Sequence, residues 1–200
     1  EFFIKILMFL SLVAVFGFTI GIIFTIFRRG WSCITWEMVT SLPGGGFYIG
    51  KEGGFLNAIV GSVYIVGAST VLGLIISVPV VFYLNVFLKS DSKFADMARL
   101  AYDVLFGIPS IVYGAFAFAL MIMFGWRTSL LGGILVTTLL IVPILIRSMD
   151  EVAKTLPRDL LDTSYSLGFT RLETIAIVMR QIAPGIITAT LLSVGRAIGC

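Results

Sequence analysis

The 200-residue sequence predicts an all-α, polytopic membrane protein, and three observations lead there. Apolar residues make up 58% of the chain and charged residues 12%, with a mean hydropathy of +1.08. Ordinary globular chains carry about 25% charged residues. Several apolar stretches reach the roughly 20 residues that a helix needs to cross a hydrocarbon core about 30 Å thick. The charges gather between those stretches, and 14 Lys+Arg with 11 Asp+Glu are too few to cover a core in water, so a bilayer is the main solvent.

The same composition excludes several classes. Seventeen Phe, two Cys and no Pro/Gly period rule out disorder, a collagen-like repeat and a disulfide scaffold. With no histidine, the chain can build neither a histidine metal site nor a Ser/His/Asp or Cys/His catalytic arrangement. The net charge of +3 is too small and too scattered for a nucleic-acid surface. Cys33 and Cys200 are far apart in sequence and carry no redox inference.

Five spans follow in order. The first covers residues 2–27, is interrupted only by Lys5 and ends at Arg28-Arg29-Gly30. It is too long and lacks the small-residue cleavage site of a removable signal peptide, so it reads as a retained span. The second, 55–88, exceeds one crossing, and tilt or a projecting end absorbs the excess; Pro79 is expected to kink it. The third, 100–124, contains Asp103, expected to pair with Arg99 four residues earlier, and Pro109. The fourth, 130–146, follows a link of residues 125–129, short enough to make an antiparallel hairpin with the third. A polar stretch, 147–180, precedes the fifth apolar run from Ile186 to Cys200.

That last run reaches only about 22 Å as helix, short of a crossing. The sequence also opens on Glu1 rather than Met. The expectation is a chain trimmed at both ends, with a sixth span beyond residue 200. The domain expectation is an N-terminal transmembrane helix and extracytoplasmic loop over 1–54, then a transmembrane core over 55–200 with a cytoplasmic loop at about 147–180.

Basic residues in the flanking loops set the orientation. One side carries Lys5, Lys89, Lys93, Arg99, Arg147, Lys154, Arg158, Arg171 and Arg180, and the other only Arg28, Arg29, Lys51 and Arg127. The richer side is expected to be cytoplasmic, which puts the 28–54 loop outside. Trp31, Trp36 and Trp126 then fit an interfacial belt on the outer side.

Two stretches invite a chemical reading. Gly45 to Glu52 nearly matches the phosphate-cradling G-x-x-x-x-G-K-[ST] loop, but Glu52 stands where Mg²⁺ needs a hydroxyl and no strand precedes it, so it reads as an external loop. In 147–180, Pro157 suits a first helical turn, and Leu160, Leu161, Ser164, Tyr165 and Gly168 follow at helical spacing. Gly168 is a natural stop. Thr170 and Glu173 then form a capping-box pattern for a new helix. Two short helices joined at a glycine turn are expected. They could serve as a docking surface for a cytoplasmic partner or as a solvated connection, while a DNA-binding helix-turn-helix is excluded by the flanking spans.

These residues also carry a resemblance. Asp162-Thr163-Ser164-Tyr165-Ser166-Leu167-Gly168 is similar to the E-A-A-x-x-x-G loop of ABC importer permeases: Gly168 matches its glycine, Asp162 replaces its glutamate, and Thr163 and Ser164 replace its alanines. The I-x-L-P that follows in the family is represented by Val178-Met179-Arg180-Gln181, without the proline at that spacing. Gly107-Ile108-Pro109-Ser110-Ile111-Val112-Tyr113-Gly114, Gly53-Gly54 with Asn57 to Ser62, Val142 to Arg147, and Gly195-Arg196-Ala197-Ile198-Gly199 resemble the phosphate-specific ABC permease family, A-type rather than C-type. The last stretch is similar to that family's G-R-A-x-G-E-T-A-P.

The resemblance implies a type I ABC importer permease (MetI-like) helical bundle in a prokaryotic plasma membrane. It would form the pathway for inorganic phosphate beside a second homologous permease subunit and membrane lipids. An extracytoplasmic phosphate-binding protein would deliver substrate. Asp162, Thr163, Ser164, Tyr165 and Gly168 would dock on cytoplasmic ABC ATPase subunits, which bind ATP and Mg, so that this chain holds no cofactor and is not itself an enzyme. Permeation of another oxyanion, molybdate or sulfate, and a non-transporting scaffold or sensor role are the alternatives.

Arg196 has a physical argument of its own. An arginine at mid-span costs about 2.5–3.5 kcal/mol on insertion scales and therefore faces a polar path or a partner. Its fork can donate two parallel hydrogen bonds to phosphate oxygens, which suits an oxyanion path; a structural bond to backbone or a neighbouring helix is the other use. The family pairs this arginine with a glutamate four residues later, where this sequence has Cys200. Either the last residue marks the truncation or the pair is absent.

Overall fold

The computed structural model describes residues 2–44, 53–88, 92–126 and 129–199, with the side chains of Cys33, Arg158, Asp159, Leu161 and Asp162 set aside. All regular structure among the described residues is helical. Four helices are long and apolar enough to cross a membrane, and a bent pair makes a fifth candidate. The chain divides into two compact units, 1–60 and 61–200.

In the first unit, α1 (Phe2–Gly30) is apolar on every face and buries no residue, as expected of a helix solvated by lipid. A 3₁₀ turn at Trp31–Cys33 leads to the short α2 (Trp36–Thr40), which is capped by the Thr35 hydroxyl. Backbone bonds from Phe55 N–H to the Met38 carbonyl (2.7 Å) and from Leu56 N–H to the Ser41 carbonyl (3.2 Å) tie this turn to the start of the next helix. The Gly45–Glu52 stretch lies outside the described residues.

The next helix, α3 (Leu56–Phe82), contains Pro79 and passes into a π-helical turn at Tyr83–Phe87. Then come α4 (Lys93–Gly107), α5 (Ser110–Met123), α6 (Leu130–Lys154), α7 (Arg158–Ser166) and α8 (Arg171–Ile198). The core centres on α6, whose Ile141, Ile144, Leu145 and Met149 are almost fully buried, with Ile182 of α8 against them.

Three hydrogen bonds set the register of α3 on α6. The Ser69 hydroxyl donates to the Ile134 carbonyl (3.0 Å), Ser77 to Val142 (3.5 Å), and Asn85 Nδ2 to the Asp150 carboxylate (2.8 Å). Each pair is separated by 65 residues, so the two segments run parallel without slipping for about 24 Å. Hydroxyls that bond a neighbouring backbone add polar contacts between helices at little desolvation cost. The α5–α6 pair is the expected hairpin.

The third predicted span is not a single helix. It is broken at Ile108-Pro109, with α4 and α5 bent by 94°. Proline removes an N–H and drives the residue before it out of the helical region, and here Ile108 has ψ 129. The polar 147–180 stretch also differs from expectation. Helix α6 continues to Lys154, and the helix capped by Thr170 is the first turn of α8, which runs on to Ile198 with Pro184 inside it. The Thr188 hydroxyl donates to the Pro184 carbonyl (3.0 Å). Tight antiparallel packing of α8 on α6 accounts for the continuity: α6–α8 is the most extensive helix pair.

At Gly185 the two helices pack without room for a side chain. A Cβ at 185 would lie 2.6 Å from Val152 Cγ1. Gly185→Ala should therefore lower the stability of the detergent-solubilised protein by about 1–3 kcal/mol through overpacking, and Val152→Ala in the same chain should recover most of it. Thermal unfolding checks this, and an unchanged midpoint for Gly185→Ala would show that α6 and α8 spread freely.

Candidate functional site

Local sequence sets the ends of the helices that meet at the glycine turn. Pro157 sits at the N-cap of α7, and Gly168 stops it with φ +85, a left-handed conformation that a side chain would strain. The capping box is complete: the Thr170 side chain accepts from Glu173 N–H (3.4 Å) while the Glu173 carboxylate accepts from Thr170 N–H (2.7 Å).

The residues of the predicted loop motif face different ways. Thr163, Tyr165 and Gly168 are exposed, together with Leu167, Phe169 and Leu172. Ser164 is buried and donates to the Leu160 carbonyl (2.7 Å), beside Val178 and Gln181 of α8. Its hydroxyl thus bonds within α7, and its side chain packs on the side of α7 that faces α8. The Asp162 side chain is outside the description. The exposed apolar group Leu167, Phe169 and Leu172 brackets the glycine turn.

Arg196 lies in the last turn of α8 and is half-buried. Extending the Gly185–Val152 register along the antiparallel pair brings it level with about Ile141, in the middle of α6. Its guanidinium carbon stands 5.5 Å from the centre of the Phe106 ring. Among the described residues no carboxylate and no hydrogen-bond acceptor engages it. Cys200, at the family's glutamate position, is outside the described residues.

Arg147 approaches the same ring, at 5.0 Å, but its charge is answered by Asp103 (3.0 Å) and Glu151 (3.3 Å). The expected Asp103–Arg99 pair is thus replaced. The bend after α4 presents Asp103 to α6, and Arg99 turns instead to Asp150.

The neighbouring Ala197 and Ile198 line a groove of about 780 Å³ formed by α3, α5, α6 and α8. Its apolar walls carry four hydroxyl residues, Ser62, Ser110, Tyr113 and Thr137. Arg196 itself does not line this groove; it precedes the lining residue Ala197, and its guanidinium is a donor group suited to an oxyanion.

The cluster around Asp150 is absent from the sequence reading. Asp150 is 1% exposed and accepts from Tyr102 Oη (2.6 Å), Arg99 Nε (3.0 Å) and Asn85 Nδ2 (2.8 Å), and Lys154 Nζ lies 2.8 Å away. It joins α4, the π-helical turn and α6 at one point. The available signal was the spacing of Ser69, Ser77 and Asn85, polar residues every eight positions in an apolar span.

A family model described as a binding-protein-dependent transport system inner membrane component matches residues 70–199. The phosphate transport system permease protein PstA of Haemophilus influenzae is 32% identical over 89% of this chain and 62% of its own length. That of Pasteurella multocida is 30% identical over 98% of this chain and 70% of its own. A probable ABC transporter permease protein, YqgI of Bacillus subtilis, is 28% identical over 90% and 60%. The chain thus spans between 60% and 70% of the length of these relatives.

Removing the central carboxylate leaves the buried Tyr102 phenol without its acceptor and Arg99 with only Asn85 Oδ1 at 3.5 Å and Asp96 at 3.9 Å. Asp150→Ala should cost about 3 kcal/mol, whereas Lys154→Ala, whose ammonium is 47% exposed, should cost less than about 1 kcal/mol. Thermal unfolding of the purified protein separates the two, and equal losses would contradict the central role of Asp150.

Proposed function

Because the chain belongs to the family of binding-protein-dependent transport system inner membrane components, we propose that it is a permease subunit of an ATP-driven importer and forms part of the pathway for inorganic phosphate. It is a multi-pass membrane protein and a component of a transporter. The observation that carries the substrate reading is Arg196: a guanidinium level with the middle of α6 that no carboxylate among the described residues engages, one residue before Ala197 in the wall of a groove with four hydroxyl residues. The relatives named as phosphate permeases support the same substrate.

The chain's own residues do three things in this reading. Arg196 offers a planar pair of N–H donors that two phosphate oxygens can take at once, replacing water lost on entry. The groove hydroxyls donate or accept as the anion passes. The exposed Thr163, Tyr165, Leu167 and Phe169 around Gly168 dock on a cytoplasmic ATPase subunit, which binds ATP and Mg itself. A second permease subunit closes the pathway, and an extracytoplasmic binding protein delivers phosphate to it.

Helix α8 is the mechanical link. It starts at the capping box beside the docking turn and carries Arg196 about 37 Å further along. A tilt of the docking segment is therefore felt at the arginine without an intervening loop, provided α8 moves as one rod against α6.

In vesicles holding the assembled transporter with its binding protein, Arg196→Ala should reduce labelled phosphate uptake at least about tenfold, on the scale of one lost bidentate charge-assisted contact. Sulfate or molybdate that competed as well as phosphate would move the assignment to another oxyanion. Unchanged uptake would remove Arg196 from the pathway, and binding of the ATPase without any uptake would favour a scaffold. A cysteine at Leu167 should cross-link to the ATPase subunit; labelling of that cysteine from outside the cell would reverse the orientation.

A further inference from the structure

We infer that Phe106 is a positioning residue for Arg196: its ring holds the guanidinium by the face and leaves the N–H edge free for the oxyanion. The inference deepens, and rests on, the reading of Arg196 as a phosphate contact.

The argument starts from how an arginine can be retained inside a bundle. A carboxylate partner would neutralise it and occupy the same donors that a phosphate needs. An aromatic face attracts the cation through the ring quadrupole and uses none of those donors, which radiate in the guanidinium plane. Arg196 has the second kind of partner, at 5.5 Å from the Phe106 centroid.

Arg147 provides the contrast within the same site. It stands against the same ring at 5.0 Å, but Asp103 at 3.0 Å and Glu151 at 3.3 Å already engage its nitrogens. Asp103 and Glu151 are thus committed to Arg147, and among the described residues nothing occupies the donors of Arg196.

The ring is itself well held. Phe106 lies in the last turn of α4, two residues before the 94° break. The carbonyl of its neighbour Leu105 accepts from Ile108 N–H (3.2 Å) and, across the corner, from Tyr113 Oη (2.9 Å). One turn earlier, Tyr102 and Arg99 anchor α4 to Asp150. The side chain that faces Arg196 is therefore placed by bonds on both sides of it, as a positioning role requires.

A packing role and a cation–π role separate cleanly in a fluorination series, because fluorine drains the ring quadrupole with little change of shape. Phenylalanine carrying one, two and three fluorines would be placed at 106 of the full chain, assembled with its ATPase, partner permease and binding protein in vesicles. Uptake of labelled inorganic phosphate is then measured. The expected result is a KM that rises stepwise with fluorination, several-fold over the series, with Phe106→Trp close to the native value and Phe106→Leu raising KM about as much as the trifluorinated ring. The same gradient should persist when Arg147→Gln is combined with Asp103→Asn and Glu151→Gln, so that no released carboxylate engages Arg196.

A flat series overturns the inference, as does a gradient that disappears in that triple variant, which would mean that the ring acts through Arg147. The two readings fail in different ways. If Arg196→Ala leaves uptake unchanged, the phosphate contact itself is wrong; if Arg196→Ala abolishes uptake while the fluorination series is flat, only the part given to Phe106 is wrong.

Discussion

A buried carboxylate is the constraint from which the helical core of this protein is built. In a medium without water, a polar group that finds no partner in the protein costs several kcal/mol, so its partners must arrive together or not at all. Asp150 draws donors from Asn85, Arg99 and Tyr102 and a cation from Lys154, and these come from three segments. Satisfying it fixes where the π-helical turn meets α6 and where α4 lies. The ladder of Ser69 and Ser77 on the α6 backbone then extends the same register along the pair.

With α4 pinned at Asp150 and turned at Ile108-Pro109, the placement of Asp103 and Phe106 follows. Asp103 meets Arg147, and the ring of Phe106 lies between two arginines of unlike circumstances, one paired with carboxylates and one not. On the other side of α6, the bare Gly185 lets α8 lie close against Val152. A single rod thereby joins the glycine turn at 168 to Arg196. The groove with hydroxyl residues beside that arginine is bounded by the same helices, so the features relevant to transport derive from the α6 contacts.

Much of this was legible locally. The apolar runs at 2–27, 55–88 and 130–146 correspond to α1, to α3 with its π-helical extension, and to most of α6. Pro157, Gly168 and the Thr170/Glu173 box mark helix ends where the structure has them, because capping is chemistry between residues three or four apart. The ion pairs were not legible. Asp103 was assigned to Arg99 by spacing along one helix, but its partner is Arg147 on another. Likewise the polar composition of 171–180 concealed that the helix opened by the capping box runs on into the last apolar segment. Pro109 was visible in an apolar run, yet nothing in the run distinguishes a gentle kink from a 94° turn.

The sequence by itself determined the solvent, the helical class, most of the apolar segments, the residues that begin and end α7 and those that begin α8, since each depends on composition or on neighbours within about one turn of helix. It also singled out Arg196 as a charge in an apolar run. Only the tertiary structure decided that Asp150 is a hub, that Ser164 is buried beside the glycine turn, and that Arg196, among the described residues, meets an aromatic face and no carboxylate. The physical reason is separation: the Asp150 partners in α4 and the π-helical turn lie 48 to 65 residues away, and in an apolar medium the pairing of polar groups is settled by which helices lie side by side.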